Sequence, residues 1–134
     1  MPNKKMFLSG QIVRGLGEGT YFMSIKKYRE KMRLRLGFDA YPGTLNLMVG
    51  KTQAVILSKI TPTRINGFRA GNSTFGGVNC YKARIQNING SIIVPDLTKH
   101  EKNIIEFIAP VHIKSELKLK DGDLINLELL RWRK

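Results

Sequence analysis

The chain has 134 residues, 42% of them hydrophobic and 25% charged, which is the composition of an ordinary globular protein long enough for one core. Its single cysteine excludes an internal disulfide, and no apolar run approaches the roughly 20 residues that span a bilayer, so we expect a cytoplasmic protein without membrane contact. The net charge of +13 indicates a partner rich in phosphate, either a nucleotide or a nucleic acid.

Two predicted strands, Met6–Val13 and Tyr21–Ile25, flank a glycine-rich loop. The loop reads Gly15-Leu16-Gly17-Glu18-Gly19-Thr20. Because its glycines leave one edge without side chains, backbone N–H groups can approach a bulky anion there, as in a phosphate-binding loop. A flexible turn is the alternative interpretation. The spacing differs from the Rossmann, kinase and Walker patterns, which excludes those three nucleotide-binding folds.

The next segment, Ser24–Leu36, is predicted to form a basic helix. Its apolar residues recur every three or four positions, at Ile25, Tyr28, Met32 and Leu36. Lysine and arginine occupy most other positions, and Gly37 is a suitable C-terminal stop. A helix that binds RNA or a membrane is the alternative, but we expect a solvated outer face over an apolar stripe.

Most of the remaining chain has the short patterns typical of strands. The predicted strands are Thr44–Val49, Ala54–Ile60, Tyr81–Ile88, Ser91–Val94, Ile104–Ala109 and Leu124–Trp132. Turns are predicted at Tyr41–Gly43, Asn66-Gly67, Asn89-Gly90 and Asp121–Asp123, with a polar hairpin end at Ala70–Gly77 and a short helix at Val111–Leu117. About seven short strands and one clear helix favour a mostly β fold, a small β-barrel with one or two packed helices. A twisted α+β sheet is the alternative.

Three polar residues on predicted strands are candidates for chemistry. Thr44 and Asn46 are two residues apart, so they project from one face of a strand and offer two oxygens of the kind that Mg²⁺ prefers. The alternative is an exposed polar strand face. Glu106 lies within an apolar run and could act as a general base, or it could face solvent or pair with a lysine. Thr98 and Val111–Lys114 carry no signal by themselves.

As a set, these stretches resemble the archaeal CTP-dependent riboflavin kinases from Met6 to about Leu130. The matching segments are Gly15–Phe22, Leu36–Phe38, Tyr41–Leu47, Ile93–Pro95, Ile104–Pro110 and Leu119–Asp123. The resemblance implies a six-stranded cradle-loop β-barrel that transfers the γ-phosphate of CTP, in preference to ATP, to the 5′-hydroxyl of riboflavin. The products would be FMN and CDP. We expect one domain over residues 1–134, without the N-terminal DNA-binding domain that some members carry.

The resemblance also implies a set of functional residues. The nucleotide-binding residues would be Gly15, Leu16, Gly17, Glu18, Gly19 and Thr20 at the phosphates and Val111, His112, Ile113 and Lys114 at the cytidine. Thr44 and Asn46 would ligate one Mg²⁺ ion that bridges the nucleotide phosphates. Thr98 and Glu106 would contact the flavin, and Glu106 would be the catalytic base. We expect a monomer.

Two departures from the family limit what can be carried over. Thr20 stands where a basic residue is frequent, so the role of that side chain is open. The segment Lys51–Asn87 matches loosely, and no site residue is taken from it. Two alternatives stay open at this stage, a basic nucleic-acid-binding β-barrel without catalysis and a non-catalytic module that binds flavin or nucleotide.

Overall fold

The computed structural model describes residues 6–15, 24–96 and 103–130. Within these ranges the chain forms nine strands and three helices. In chain order they are β1 (Met6–Val13), α1 (Lys26–Leu36), β2 (Leu45–Val49), α2 (Lys51–Leu57), β3 (Thr63–Ile65), β4 (Phe68–Ala70), β5 (Ser73–Phe75), β6 (Val78–Ile85), β7 (Ile88–Pro95), β8 (Ile104–Ile108), α3 (Ile113–Leu117) and β9 (Leu124–Leu129). In this described part of the chain, no helix has the length and apolar character needed to cross a membrane.

Six antiparallel strands close into a barrel. They follow the order β6, β7, β8, β2, β1 and β9, and β9 pairs back onto β6 through Ala83–Leu129 and Arg84–Glu128. Strand β3 pairs with β6 beyond the point of closure, and β4 and β5 form a separate hairpin. Closure protects the backbone groups of strands that would otherwise be sheet edges. The mostly β fold and the six-stranded barrel are therefore confirmed, although three helices are described rather than one or two.

The barrel interior is filled by one set of alternating side chains. Every second residue along a strand points inward, and these inward residues form a single apolar cluster. Its most buried members, each at most 1% exposed, are Leu8, Ile12, Leu47, Ala83, Ile85, Ile92, Phe107 and Leu127. The outward residues of the same strands are left to build the outer faces, including the one that carries the candidate site.

Helix α1 covers one outer face of the barrel, as the apolar stripe predicts. Tyr28, Met32 and Leu36 pack on outward residues of β3, β6, β7 and β8 in a second apolar cluster. The helix ends at Gly37, whose φ of 87° is the left-handed conformation that glycine adopts without strain. Cys80 lies in this cluster, and burial raises its pKa to about 12, which keeps the thiol protonated.

The predicted strand Ala54–Ile60 is wrong, because Lys51–Leu57 is helix α2. The apolar residues of this run do not alternate between a buried and an exposed face. Leu57 is buried and Ala54, Ile56 and Ile60 pack against the barrel core, while Val55 is 53% exposed. Positions 54 and 57, and 56 and 60, are separated by helical spacings, so a helix buries more of this run than a strand would.

Neither Asn-Gly pair forms the predicted hairpin turn. Asn66-Gly67 joins β3 to β4, but these strands pair with β6 and β5 respectively and not with each other. Asn89-Gly90 lies inside β7, and the β6–β7 turn is at Gln86-Asn87, where Gln86 has a φ of 53°. Glycine is needed at position 90 because a Cβ there would overlap the carbonyl oxygen of Ile108 and the ring of Phe107. Close strand packing, rather than turn formation, explains this glycine.

The other predicted elements differ from the structure mainly at their ends. Of the predicted strand Tyr21–Ile25, the first three residues lie outside the described ranges, and the described residues Ser24 and Ile25 belong to no strand. Instead, Ile25 is the extended residue that precedes α1. Strand β9 ends at Leu129, whereas its prediction continued to Trp132, which lies outside the described residues. The hairpin end after Ala70, the short helix α3 and the turn before β9 are confirmed.

Candidate active site

Strand pairing aligns four residues across the outer face of the barrel. Val13 of β1 pairs with Asn46 of β2, Asn46 pairs with Glu106 of β8, and Glu106 pairs with Ile93 of β7. Directly paired residues project to the same side of a sheet. Because the neighbours of Asn46 on β2 fill the barrel core, Asn46 and Glu106 face outward.

A polar network joins three of the predicted site residues. The Thr44 hydroxyl donates to Glu106 Oε1 at 3.1 Å, and Asn46 Nδ2 donates to Thr44 Oγ1 at 3.4 Å. Glu106 is only 2% exposed and Asn46 only 9% exposed. The alternatives of a solvent-facing glutamate and of an exposed polar strand face are therefore wrong. Burial of an unpaired carboxylate is costly, so the bond from Thr44 helps to hold Glu106 in this position.

The first residue of the glycine-rich loop lies directly against this network. A Cβ on Gly15 would lie 2.6 Å from Asn46 Cγ and 2.7 Å from Asn46 Oδ1, closer than real side-chain contacts. A side chain at position 15 would therefore displace the Asn46 amide from its present position. The rest of the loop, from Leu16 to Thr20, lies outside the described residues.

The oxygens of this network suit a hard divalent cation. Within the part of the chain that the structure describes, Asn46 Oδ1 is buried and has no hydrogen-bond partner, which is rare for a buried amide oxygen and points to a ligand as its partner. The Thr44 hydroxyl hydrogen is engaged by Glu106 and one of its lone pairs by Asn46 Nδ2, which leaves one lone pair on Thr44 Oγ1 for a cation. In residues 6–15, 24–96 and 103–130, no three His, Cys, Asp or Glu side chains come together as a metal site. The donor set therefore fits Mg²⁺ with further oxygens from phosphate and water.

A cavity of about 230 Å³ extends from Thr44 to the segment predicted to bind cytidine. It is lined by the chain from Tyr41 to Leu45 and by Val111, His112, Ile113 and Lys114. Phe107 and Ala109, from the segment that also carries Glu106, complete the lining. Two stretches more than 60 residues apart in the sequence thus form one cavity beside the polar network.

The turn before β9 connects the two predicted nucleotide-binding segments. Lys114 Nζ lies 2.5 Å from Asp121 Oδ1, and this ammonium group holds the pKa of Asp121 below its usual value. The backbone of the same turn pairs with the end of β1, because Gly122 N–H donates to Ile12 O and Ile12 N–H donates to Asp123 O, both at 2.8 Å. The start of the glycine-rich loop and the segment Val111–Lys114 therefore share one support.

The predicted flavin contact Thr98 lies outside the described residues, but the chain leading to it is firmly held. The Arg64 guanidinium donates to both carboxylate oxygens of Asp96, at 2.7 and 2.6 Å. This hydrogen-bonded pairing lowers the pKa of Asp96. In addition, Asp96 N–H donates to the Gly77 carbonyl oxygen at 3.0 Å. Asp96, which directly follows β7, is thereby fixed two residues before Thr98.

Tyr41 is a cavity residue for which the sequence predicted no functional role. Tyr41 was assigned only to a turn, yet its partly exposed ring lines the cavity and lies 5.0 Å from the ring of His112. The available signal was an aromatic residue immediately before a Pro-Gly turn, three positions from a candidate metal ligand. Such an aromatic residue is as common in a structural turn as in a binding site.

Comparison with known proteins gives two findings. The family model CTP-dep_RFKase, described as a domain of unknown function, DUF120, matches residues 12–129. Proteins named riboflavin kinase are similar over most of the chain. Those of Methanosarcina mazei, Archaeoglobus fulgidus and Pyrococcus furiosus are 41%, 39% and 44% identical and are matched over 91%, 97% and 90% of this chain. The match covers 56%, 60% and 57% of those relatives, so the chain spans little more than half their length.

Proposed function

The chain belongs to the CTP-dep_RFKase family, and on this basis we propose that it is a riboflavin kinase that uses CTP. The reaction transfers the γ-phosphoryl group of CTP to the 5′-hydroxyl of riboflavin and gives FMN and CDP. The names of the relatives support the kinase, and the name of the family supports CTP as the donor. The enzyme would act in the cytoplasm, where its single cysteine stays reduced.

One observation supports this function more than any other. Gly15, the pair Thr44 and Asn46, and Glu106 come from three separate stretches of sequence, yet they form one contiguous group. The group borders the cavity that Val111–Lys114 line. A nucleotide with its base in the cavity could extend its phosphates past Thr44 and Asn46 toward the glycine-rich loop. Phosphoryl transfer depends mainly on such positioning and on neutralising charge.

Thr44 and Asn46 would hold Mg²⁺ through their side-chain oxygens. When bound there, the ion would supply positive charge that offsets part of the negative charge developing on the phosphoryl group during transfer. The Asn46 amide is held by its hydrogen bond to Thr44 and by the close approach of Gly15. Asn46 Oδ1, which has no hydrogen-bond partner among the described residues, therefore has a defined position. Ligands that are already oriented lose little entropy on binding.

Glu106 would orient and deprotonate the acceptor. Its carboxylate accepts the Thr44 hydrogen at one oxygen, Oε1. In this mechanism the carboxylate also accepts a hydrogen bond from the riboflavin 5′-hydroxyl and takes its proton as the new P–O bond forms. The bond between the γ-phosphorus and the bridging oxygen breaks, and CDP leaves.

The experiment that tests this proposal is product analysis. The protein is incubated with riboflavin and Mg²⁺ and with CTP or ATP in turn, and flavins and nucleotides are separated by chromatography. We expect equimolar FMN and CDP with CTP and less FMN with ATP. Exposed Asp39 pairs with Arg33 on α1, away from the cavity, so Asp39→Asn is a control expected to keep full activity. Absence of FMN with both nucleotides would contradict the proposal.

A further inference from the structure

Tyr41 combines exposure with a fixed position at the cavity. The residue is 43% exposed although it is a large aromatic side chain next to the barrel. It lines the cavity together with Thr44 and with the neighbouring His112. Other large apolar side chains, such as Phe7 at 51%, are at least as exposed, so the distinguishing feature of Tyr41 is that its exposed ring borders the cavity.

Three contacts hold Tyr41 in place. Its backbone N–H donates to the Ala109 carbonyl oxygen at 2.8 Å. The ring of His112 lies 5.0 Å from the Tyr41 ring at an interplanar angle of 37°, and His112 Nδ1 is in turn 2.6 Å from Ser115 Oγ. The following residue, Pro42, restricts the backbone of Tyr41 to extended conformations. The ring is therefore supported by His112 on one side before any ligand binds.

From this geometry we propose that Tyr41 is the surface on which the pyrimidine ring of the nucleotide stacks. The inference rests on the proposed function and adds to it a positioning residue for the base. A cavity of about 230 Å³ bounded by Tyr41 and Val111–Lys114 has room for a single-ring base. The base on Tyr41 and the phosphates at Thr44 would then follow the same wall of the cavity.

Stacking adds affinity for the base but does not distinguish one base from another. Every nucleobase has a π-face, and removal of a stacking aromatic side chain weakens binding by about 5- to 150-fold per base. Tyr41 would therefore strengthen the binding of CDP and ADP by similar factors. The preference for CTP would arise from hydrogen bonds to the edge of the base.

The test compares a ligand that contains a base with one that lacks it. Dissociation constants for CDP and for inorganic tripolyphosphate are measured by calorimetry with Mg²⁺ present, and riboflavin binding is followed by flavin fluorescence. We expect Tyr41→Ala to weaken CDP by about 5- to 150-fold while tripolyphosphate and riboflavin change by less than about twofold. Tyr41→Phe, which keeps the ring, should restore CDP binding to within about threefold of the unaltered protein.

Two further variants make the result interpretable. Tyr41→Leu keeps apolar volume without a π-face, so it should lose CDP affinity as Tyr41→Ala does, even if the alanine variant folds poorly. Phe7 is equally exposed, at 51%, but lies on β1 away from the cavity, so Phe7→Ala should change no affinity. The inference would be overturned if CDP binding were unchanged in both Tyr41→Ala and Tyr41→Leu. Equal losses of CDP and tripolyphosphate affinity, or a selective loss of riboflavin affinity, would also overturn it. Failure of the unaltered protein to bind CDP would instead contradict the proposed function.

Discussion

Gly15→Ala tests the closest contact at the candidate site. The added Cβ would meet three atoms of the Asn46 amide, including Cγ at 2.6 Å and Oδ1 at 2.7 Å. Since φ of Gly15 is not in the left-handed region, the penalty is steric and not a matter of backbone strain. The barrel backbone can stay in place if the Asn46 amide rotates away, but the buried oxygen proposed for Mg²⁺ then moves with it.

The expected magnitude separates stability from activity. Overpacking of this kind typically costs about 1–3 kcal/mol in the free energy of unfolding, which a small barrel can tolerate. A displaced metal ligand is more serious for function. We expect the apparent affinity for Mg²⁺, measured by FMN formation, to fall about 10- to 100-fold. Gly50→Ala is the matched control, because the added Cβ would meet nothing closer than 3.9 Å. The substitution would replace only the N-cap glycine of α2, at a cost of about 0.5–1 kcal/mol.

A double-mutant cycle assigns the cost to the Asn46 contact. Urea unfolding is measured for Gly15→Ala in the unaltered protein and again in the Asn46→Ala background, where the amide is absent. We expect the cost of about 1–3 kcal/mol to fall to near zero in the second background, or to become slightly favourable because alanine restricts the unfolded chain by about 0.4–1 kcal/mol. Equal costs in the two backgrounds would refute the close approach of Gly15 to Asn46.

Three other predictions address the base, the loop and the flavin side. Glu106→Gln keeps the shape of the buried side chain, so a general base there predicts a fall in kcat of about two decades or more, and a loss below about tenfold in steady-state assays would leave Glu106 an orienting role only. Gly17→Val should raise the KM for CTP by placing a branched side chain in the proposed phosphate-binding loop, whereas an unchanged KM would argue against that loop. Because its pKa is lowered by Arg64, Asp96 should contribute stability that is present above about pH 4 and is lost as the pH falls through the lowered pKa. The Asp96→Asn variant should therefore lose less stability than the unaltered protein as the pH is lowered. Identical pH profiles of the free energy of unfolding for the variant and the unaltered protein would contradict this prediction.

Local sequence patterns predicted the elements that bury one face. The strand pattern of Met6–Val13 and the apolar stripe of α1 each reflect burial of one face; β1 has the predicted bounds, and α1 begins two residues later than predicted, at Lys26. The pattern was misleading in Lys51–Leu57, where apolar residues on several sides of a short helix resemble a strand. It was also misleading at Gly90, where glycine accommodates the packing of β8 rather than a turn.

The candidate site could be predicted only in part, for a related reason. The closeness of Thr44 and Asn46 follows from their spacing on one chain segment and is confirmed by the hydrogen bond between them. The pairing of Asn46 with Glu106 depends on the register of β2 against β8, which is fixed by core packing across 60 residues of chain. The contact of Gly15 with Asn46 and the position of Tyr41 depend on that same long-range packing.

The most direct measurement is the position of the metal ion in crystals grown with CDP and with Mn²⁺ in place of Mg²⁺. Anomalous scattering identifies the ion independently of any assumption about the mechanism. We predict one strong peak within coordination distance of Asn46 Oδ1 and Thr44 Oγ1, shared with phosphate oxygens of CDP and lost in Asn46→Ala. A peak elsewhere on the molecule, or CDP bound with its phosphates away from Gly15, would contradict the proposed site.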